Sequence, residues 1–250
     1  MAKQNIFDNE TFFEGYKKIR EREANANTLF EIPALFSLLP DLNGKKILDL
    51  GCGFGEHCKE FVNKGAEEVT GIDISEKMLA VAREENSDPK ITYINMAMED
   101  LDKLEGSYDI VISSLVMHYI EDFKGVLKNI NRLLVTGGHF IYSQEHPLNT
   151  SHSGDNRWTK DENGNKLHLN LRNYGVEGER ESVWFVDNVK VYHRTFSTIV
   201  NDLVDEGFVI EKMIEPFPDD KILKEHPDQA DLFHKPDFLL IRTKKNGSSR

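Results

Sequence analysis

A short apolar segment that ends in three alternating glycines constrains the fold of this chain more than any other feature. Residues 47–55 read Ile-Leu-Asp-Leu-Gly-Cys-Gly-Phe-Gly. The apolar part is typical of a buried parallel strand, and Gly51, Gly53 and Gly55 predict a tight turn before a helix that begins near Glu56. Bare glycine backbone lets a ligand approach where a Cβ would intrude. Because nucleotide-like ligands bind at the carboxyl ends of strands in open α/β sheets, the turn predicts such a binding site.

Strands and helices alternate around this turn and indicate a mostly parallel sheet. Strands are predicted at residues 46–50, 68–72, 91–94, 108–113, 139–143, 208–214 and 237–243. Helices are predicted at residues 10–23, 27–39, 56–64, 75–85, 122–134 and 195–205, with a turn at 135–138. Pro33 marks a start or a kink in the second helix. Strands joined by helices of this length form βαβ units, and the last two strands are expected to form a closing, hairpin-like pair.

The alternation stops after the fifth predicted strand, where a polar insertion begins. Residues 145–190 are rich in Asn, Gly and Glu, and they contain Trp158 and Trp184. The dipeptide Asn163-Gly164 predicts a hairpin tip within this segment. We expect a single domain over residues 1–250, made of a helical cover (1–43), a core (44–143), the insertion (144–192), the rest of the sheet (193–243) and a frayed tail (244–250).

Composition and charge narrow the function classes. The chain has 31 basic and 43 acidic residues, so its net charge is −12. This balance argues against a broad nucleic-acid surface and against docking on anionic membranes. No apolar run approaches the roughly 20 residues that span a bilayer, and the first residues do not resemble a signal peptide. With only Cys52 and Cys58 present, we expect a soluble cytoplasmic protein without structural disulfides. The nine histidines show no paired metal spacing, so no metal is predicted.

Asp73 is the second feature that points to a ligand. It follows the second predicted strand, and the distance from the glycine turn suits a carboxylate that accepts two hydrogen bonds from a ribose diol. The alternative is an acid at the surface that caps the next helix. The spacing Gly51-x-Gly53-x-Gly55 differs from the G-x-G-x-x-G fingerprint of dinucleotide sites, which counts against a nicotinamide-dependent oxidoreductase.

Taken together, residues 44–143 resemble the class I S-adenosylmethionine-dependent methyltransferases, of the type that includes ubiquinone- and menaquinone-biosynthesis-like and small-molecule enzymes. The motifs that carry the resemblance stand in family order at residues 47–55, 71–75, 96–101, 108–114 and 133–138. The resemblance implies a Rossmann-like, seven-stranded, mostly parallel sheet with helices on both faces. It also implies S-adenosyl-L-methionine as the cofactor and the transfer of its methyl group by in-line displacement.

The resemblance further implies roles for individual residues near the cofactor. Gly51 and Gly53 would lie under its methionyl part, Asp73 would hold the ribose, and Met98 would offer a backbone N–H to the adenine. Many relatives have Asp where this chain has Ala97, and that Asp contacts the adenine amino group. In this chain Glu99 either takes over the contact or points to solvent, and Met98 alternatively packs on the adenine face. The full predicted set is Tyr16, Arg20, Asp49, Gly51, Cys52, Gly53, Asp73, Ile74, Met78, Ala97, Met98, Glu99 and Ser113.

Three members of that set have open roles. Tyr16 and Arg20 lie one helical turn apart, so both face the same way. Arg20 either pairs with the cofactor carboxylate or belongs to a solvated charged face. Asp49 either holds the glycine turn or reaches a cationic group.

A general base is needed only if the acceptor arrives protonated. The candidates are His118 after the fourth strand, His146 beside Glu145 after the fifth, and His193 before the late helix. The alternative is that His118 is structural, and that the polar clusters at residues 145–147 and 192–195 hydrogen-bond each other and pin the insertion. The insertion resembles a substrate lid, whose aromatic residues either stack on a planar acceptor or form the lid's own small core.

The leading hypothesis is therefore methyl transfer to a small-molecule acceptor by a monomer or homodimer. The alternative is a protein that binds S-adenosylmethionine without catalysis or acts through a protein partner. No Asn-Pro-Pro-Tyr-like run, which some DNA and protein methyltransferases carry, follows the fourth strand; residues 113–116 read Ser-Ser-Leu-Val.

Overall fold

The computed structural model describes residues 4–20, 24–151 and 157–247. Its strands are β1 Lys46–Leu50, β2 Glu68–Asp73, β3 Ile91–Asn95, β4 Tyr108–Ser113, β5 Leu134–Glu145, β6 Trp158–Lys160, β7 Lys166–Leu169, β8 Gly178–Trp184, β9 Val186–His193, β10 Phe208–Ile214 and β11 Phe238–Lys245. Its helices are α1 Glu10–Arg20, α2 Ile32–Ser37, α3 Glu56–Asn63, α4 Glu76–Glu85, α5 Phe123–Leu133, α6 Pro147–Thr150, α7 Phe196–Asp205 and α8 Asp220–Glu225. Helices and strands alternate from β1 to β5, as predicted.

A seven-stranded sheet forms the centre of the molecule. Its strand order is β10, β11, β5, β4, β1, β2, β3, and β11 runs antiparallel to both of its neighbours. The other neighbouring strands pair in parallel. The predicted Rossmann-like architecture and the closing pair of strands are therefore confirmed.

Helices cover both faces of this sheet. On one face, Leu127 of α5 and Leu203 of α7 pack with Phe140 of β5. On the other, Phe61 of α3 and Leu79 of α4 share a second buried cluster. Because strands buried on both faces need apolar residues on both sides, the central strands are nearly continuous apolar runs.

The structure corrects two predicted boundaries at the far edge of the sheet. Residues 135–138, predicted as a turn, lie inside β5, and the pairing with β4 shifts register between Tyr108 and Ile110. Gly137 has a φ of 78°, which lets the strand absorb the extra residues without ending. The tail predicted to fray from residue 244 is paired in β11 as far as Lys245, whose Nζ donates to the Asn131 and Leu134 carbonyls. Residues 248–250 of the predicted tail lie outside the described residues.

The N-terminal cover also differs in detail from the prediction. The first helix is described as far as Arg20, and the last three residues of the predicted helix, 21–23, lie outside the described residues. The predicted second helix is split into a π-helical turn, Asn27–Glu31, and the short α2. Pro33 sits in the first turn of α2, where its missing N–H costs nothing, so it marks a start.

The insertion folds as two hairpins. β6 and β7 flank the predicted Asn-Gly tip, where Asp161 Oδ1 accepts from the N–H groups of Asn163 and Asn165. β8 and β9 form a second, longer hairpin that was not predicted. Among the described residues, no helix is both long and apolar enough to cross a membrane.

Candidate active site

The turn after β1 requires glycine for two reasons: its backbone conformation and the closeness of neighbouring side chains. Gly51 and Gly53 have φ values of 71° and 53°, in the left-handed region that side chains other than glycine rarely adopt. A Cβ on Gly51 would lie 2.4 Å from Val116 Cγ2. A Cβ on Gly53 would meet nothing within 4 Å, so bare backbone faces open space there. The turn thus offers a cradle of exposed backbone.

Asp73 is tied to this turn by hydrogen bonds. Its Oδ2 accepts from the Gly53 N–H at 2.9 Å, and its Oδ1 accepts from the Ser75 N–H at 2.8 Å. Burial raises the pKa of Asp73 to about 6. The side chain that caps α4 is Ser75, whose Oγ accepts from the Met78 N–H at 3.1 Å. Asp73 therefore fixes the glycine turn and keeps further lone pairs for a ligand.

A cavity of about 700 Å³ lies over the carboxyl ends of β1, β2 and β4. Most of the residues predicted to bind the cofactor line it: Tyr16, Arg20, Gly51, Cys52, Gly53, Asp73, Ile74, Met78, Ala97, Met98 and Glu99. Residues from four separate parts of the sequence thus meet around one space.

Two predicted residues do not reach the cavity wall. Asp49 is buried behind the turn, where the Cys58 thiol donates to its Oδ2 at 3.3 Å and burial raises its pKa to about 7. Ser113 is fully buried, and its Oγ donates to the Leu50 carbonyl at 3.1 Å, so it ties β4 to β1. The adjacent Ser114 lines the cavity instead.

The N-terminal cover contributes Tyr16 and Arg20 to the same wall. Arg20 forms an ion pair with Glu56 at the start of α3, and its side chain is only 15% exposed. The interpretation of Arg20 as part of a solvated face is therefore wrong. A guanidinium held in this way stays charged at the cavity wall.

Sequence reasoning missed Glu31, which is completely buried beside the site. Its Oε1 accepts from Ser114 Oγ at 2.9 Å and from Ser143 Oγ, while its Oε2 has no partner in the described structure. Burial raises the pKa of Glu31. The one available signal was an acid within the apolar run Leu-Phe-Glu-Ile-Pro at residues 29–33.

His118 is the only one of the three candidate histidines on the cavity wall. Its Nδ1 accepts the Glu145 N–H at 3.3 Å, and burial lowers its pKa to about 3. A neutral ring that accepts at Nδ1 carries its proton on Nε2. His118 therefore presents an N–H donor to the cavity and cannot serve there as the general base.

His146 and His193 hold the insertion in place instead of facing the cavity. His146 Nδ1 caps α6 by accepting from the Leu148 N–H at 3.1 Å, and its Nε2 pairs with Glu215 at 2.9 Å. The ring nitrogens of His193 are 2.9 Å from Thr150 Oγ1 and 2.9 Å from the Tyr174 carbonyl. The catalytic hypothesis fails for both because their ring nitrogens are already used. Both histidines hold the insertion in place, which agrees with the alternative interpretation, but they do so without a hydrogen bond to each other.

The cavity continues from the glycine turn to a second region under the insertion. This region is lined by Tyr119, Glu145, Asn149, Arg157, Trp184, Val189 and Phe238. Trp184, at the tip of the β8–β9 hairpin, packs edge-on against Phe12 and Tyr16 of α1, with ring centroids 5.3 Å and 6.0 Å away. Trp158 packs against His234 instead and is not on the wall. The second hairpin and α1 together cover the cavity.

Comparisons with known proteins agree with this geometry. A family model described as a methyltransferase domain matches residues 48–142. An uncharacterized protein of Haemophilus influenzae is 38% identical over 97% of this chain and 98% of its own length. A ubiquinone biosynthesis O-methyltransferase of Acinetobacter baylyi is 37% identical over 41% of this chain, a segment that spans 44% of that enzyme. The crystal structure of an S-adenosylmethionine dependent methyltransferase from Mesorhizobium loti has a TM-score of 0.79 and 37% identity, covering 89% of this chain and 99% of that one.

Proposed function

Because the chain belongs to the class I S-adenosylmethionine-dependent methyltransferases, we propose that its methyl acceptor is a small organic molecule. The family gives the cofactor and the transfer of its methyl group. The class of acceptor depends on the shape and the chemistry of the site. The observation that supports a small acceptor is the covered cavity of about 700 Å³, which holds the cofactor wall and the acceptor region in one space.

The residues on the cofactor wall fit S-adenosylmethionine. The open side of Gly53 gives room for the methionyl part against the backbone, and the Asp73 carboxylate has lone pairs left for the ribose hydroxyls. We assign the cofactor carboxylate to Arg20 and the adenine to the Ala97–Glu99 segment. When bound, the cofactor supplies an activated methyl group on a sulfonium, so the protein must mainly align the acceptor and exclude water.

The size and cover of the cavity favour a small acceptor over a macromolecule. Small-molecule sites have volumes of roughly 300–1,000 Å³, and part of this cavity must hold the cofactor. The hairpin tip at Trp184 closes against α1 above the acceptor region. A polymer chain would have to displace that contact, and the net charge of −12 would repel nucleic acid.

Methyl-labelled S-adenosylmethionine tests the proposal directly. The protein is incubated with the labelled donor and a cell extract that filtration has divided into small-molecule and macromolecular fractions. We expect enzyme-dependent label in products of the small-molecule fraction. Label that appears only in protein or nucleic acid would contradict the proposal, and the Asp73→Ala variant serves as the background control.

A further inference from the structure

Glu145 is a cavity carboxylate that the structure leaves free. It ends β5, and it is one of the residues that line the acceptor region. No hydrogen bond or ion pair of its side chain occurs within the described parts of the chain, although the residue is half-buried. We propose that Glu145 is the general base and that the acceptor presents a hydroxyl group to it. This inference rests on the proposed small-molecule acceptor.

The backbone of Glu145 is held firmly in place. It pairs with Phe238 of β11, and its N–H donates to His118 Nδ1 at 3.3 Å. Because β5 lies beside β4 and β4 beside β1, the carboxyl end of β5 opens onto the same edge as the Gly51 turn. Glu145 therefore lies at the same edge of the sheet as the turn that is proposed to hold the methyl donor.

The charges around Glu145 leave it able to accept a proton. Burial raises the pKa of Glu145, the cations Arg157 and Lys235 lower it, and Asp237 raises it again. Both cations are engaged elsewhere, since Arg157 donates to the side chain and carbonyl of Asn149 and Lys235 pairs with Asp237. The half-buried carboxyl is thus not neutralised by a direct ion pair, and its raised pKa favours the uptake of a proton from the acceptor.

The other titratable groups at this wall act as donors. His118 is neutral with its proton on Nε2, as its bond to the Glu145 N–H requires. Burial and the Glu145 charge hold the pKa of Tyr119 well above its usual value, so its phenol stays protonated. Of these three side chains, Glu145 alone has an anionic form that can take the proton of an acceptor.

A donor beside an acceptor matches the hydrogen-bonding pattern of a hydroxyl group. The hydroxyl donates its proton toward Glu145 and accepts the N–H of His118, which orients an oxygen lone pair. In the transfer, an oxygen–carbon bond forms and the carbon–sulfur bond breaks with its electron pair left on sulfur. The hydroxyl proton passes to Glu145. The products are a methyl ether, the neutral thioether and a protonated carboxyl.

The first test measures methyl transfer to the small-molecule extract with Glu145→Gln. We expect turnover to fall about 10²–10⁴-fold, the range for loss of a general base, with affinity for S-adenosylhomocysteine unchanged by calorimetry. Glu145→Asp should recover part of the rate, and the rise of rate with pH should disappear in the Gln variant. Glu85→Gln, which removes an exposed carboxylate at the end of α4, is the matched control. Turnover of Glu145→Gln near that of the control, with the same pH profile, would overturn the role of the base.

The chemistry of the product tests the hydroxyl separately. Hot hydriodic acid releases the label of a methyl ether as methyl iodide. The same treatment leaves N-methyl groups intact. We expect release under ether-cleaving conditions. Label found in N-methyl or S-methyl products would overturn the assignment of a hydroxyl acceptor.

An infrared titration separates failure of this inference from failure of the proposed function. In the complex with S-adenosylhomocysteine, the difference spectrum between wild type and Glu145→Gln should show a carboxyl that titrates above the ordinary range of glutamate. Titration in the ordinary range would refute the base without any acceptor being needed. A raised titration with no labelled small molecule would instead leave the base standing and remove the small-molecule acceptor.

Discussion

At the scale of single residues, Asp73 does two things that the sequence could not separate. Its carboxylate is expected to hold the ribose, and it also accepts the N–H groups of Gly53 and Ser75. Removal of the side chain would leave two backbone donors without partners, at about 1–3 kcal/mol for each buried group. An alanine variant therefore tests the turn as much as the ligand, and a closer replacement is needed.

Asp73→Asn is that replacement. The amide has the same shape as the carboxylate. Its NH₂ group cannot accept from the backbone N–H that it faces, and the neutral amide forms weaker hydrogen bonds with the ribose hydroxyls. Since a hydrogen bond to a charged group contributes about 1.5–3 kcal/mol, we expect the Kd for S-adenosylhomocysteine to rise by about 10- to 150-fold. Calorimetry measures the change, and Asp102→Asn, at an exposed site, is the control. Equal affinity in the two variants would contradict the ribose assignment.

The three histidines show where sequence reasoning about single residues ends. His118, His146 and His193 follow or precede strand ends in the same way, so their positions in sequence do not distinguish them. What distinguishes them is the hydrogen-bond partners of each ring, and the packing of distant elements determines those partners. Glu31 was missed for the same reason, because Ser114 and Ser143 lie far from it along the chain.

At the scale of elements, the predicted strands and helices of the core agree with the structure to within about two residues, apart from the start of β5, and they do so for local reasons. Ser75, Asp122 and Thr195 each accept from the N–H three residues later and so mark the starts of α4, α5 and α7. Apolar periodicity fixed the strands that lie between helices. The β8–β9 hairpin escaped prediction because its strands pair only with each other and β8 is largely polar.

That hairpin closes on α1 through a contact that depends on a glycine. Phe185, at the tip, has a φ of 60°, which is rare for a bulky residue. Its ring packs on Phe12 and Trp184, with centroids 5.5 Å and 5.2 Å apart. A Cβ on Gly15 of α1 would lie 2.6 Å from the Phe185 ring. The hairpin tip can therefore pack closely against α1 only where the helix residue has no side chain.

Gly15→Ala should loosen this cover. Alanine favours a helix interior over glycine by about 1 kcal/mol, but the added methyl group forces the ring away at about 1–3 kcal/mol. We expect S-adenosylhomocysteine to dissociate several-fold faster in stopped-flow experiments, with little change in thermal stability. In a Phe185→Ala background, where the clash is absent, Gly15→Ala should have no effect on dissociation. An equal effect in both backgrounds would show that the contact is not the cause.

At the scale of the whole molecule, the site joins parts of the chain that the sequence keeps far apart. The N-terminal segment meets the insertion through Gln4, whose side chain donates to the Lys190 carbonyl at 3.1 Å and accepts from its N–H at 2.7 Å. Such pairings need the complete fold and have no local signal. The cofactor wall, in contrast, lies on consecutive βα units, so its composition was largely predictable from the motifs.

Asp49 links the site to the stability of the whole fold. It is buried behind the glycine turn, and burial raises its pKa from 3.8 to about 7. Between those values the folded protein holds a proton on Asp49 that the unfolded chain has lost. The free energy of unfolding therefore falls with rising pH across this window, by up to about 1.4 kcal/mol per pH unit. The full cost of the buried charge is present above pH 7 and is gone below about pH 4.

Asp49→Asn removes this titration and leaves the shape of the residue. The hydrogen bonds that the amide gains or loses do not depend on pH. The test is therefore how the difference in unfolding free energy between the two proteins changes with pH. We expect the unfolding free energy of wild type minus that of the variant to decrease between pH 4 and pH 7 and then to level off, as measured by denaturant unfolding without cofactor. Other groups that titrate in this range, such as the buried histidines, contribute equally to both proteins and cancel in the difference. A difference that stays constant with pH would mean that Asp49 ionises over the same pH range in the folded protein as in the unfolded chain, which would contradict the raised pKa.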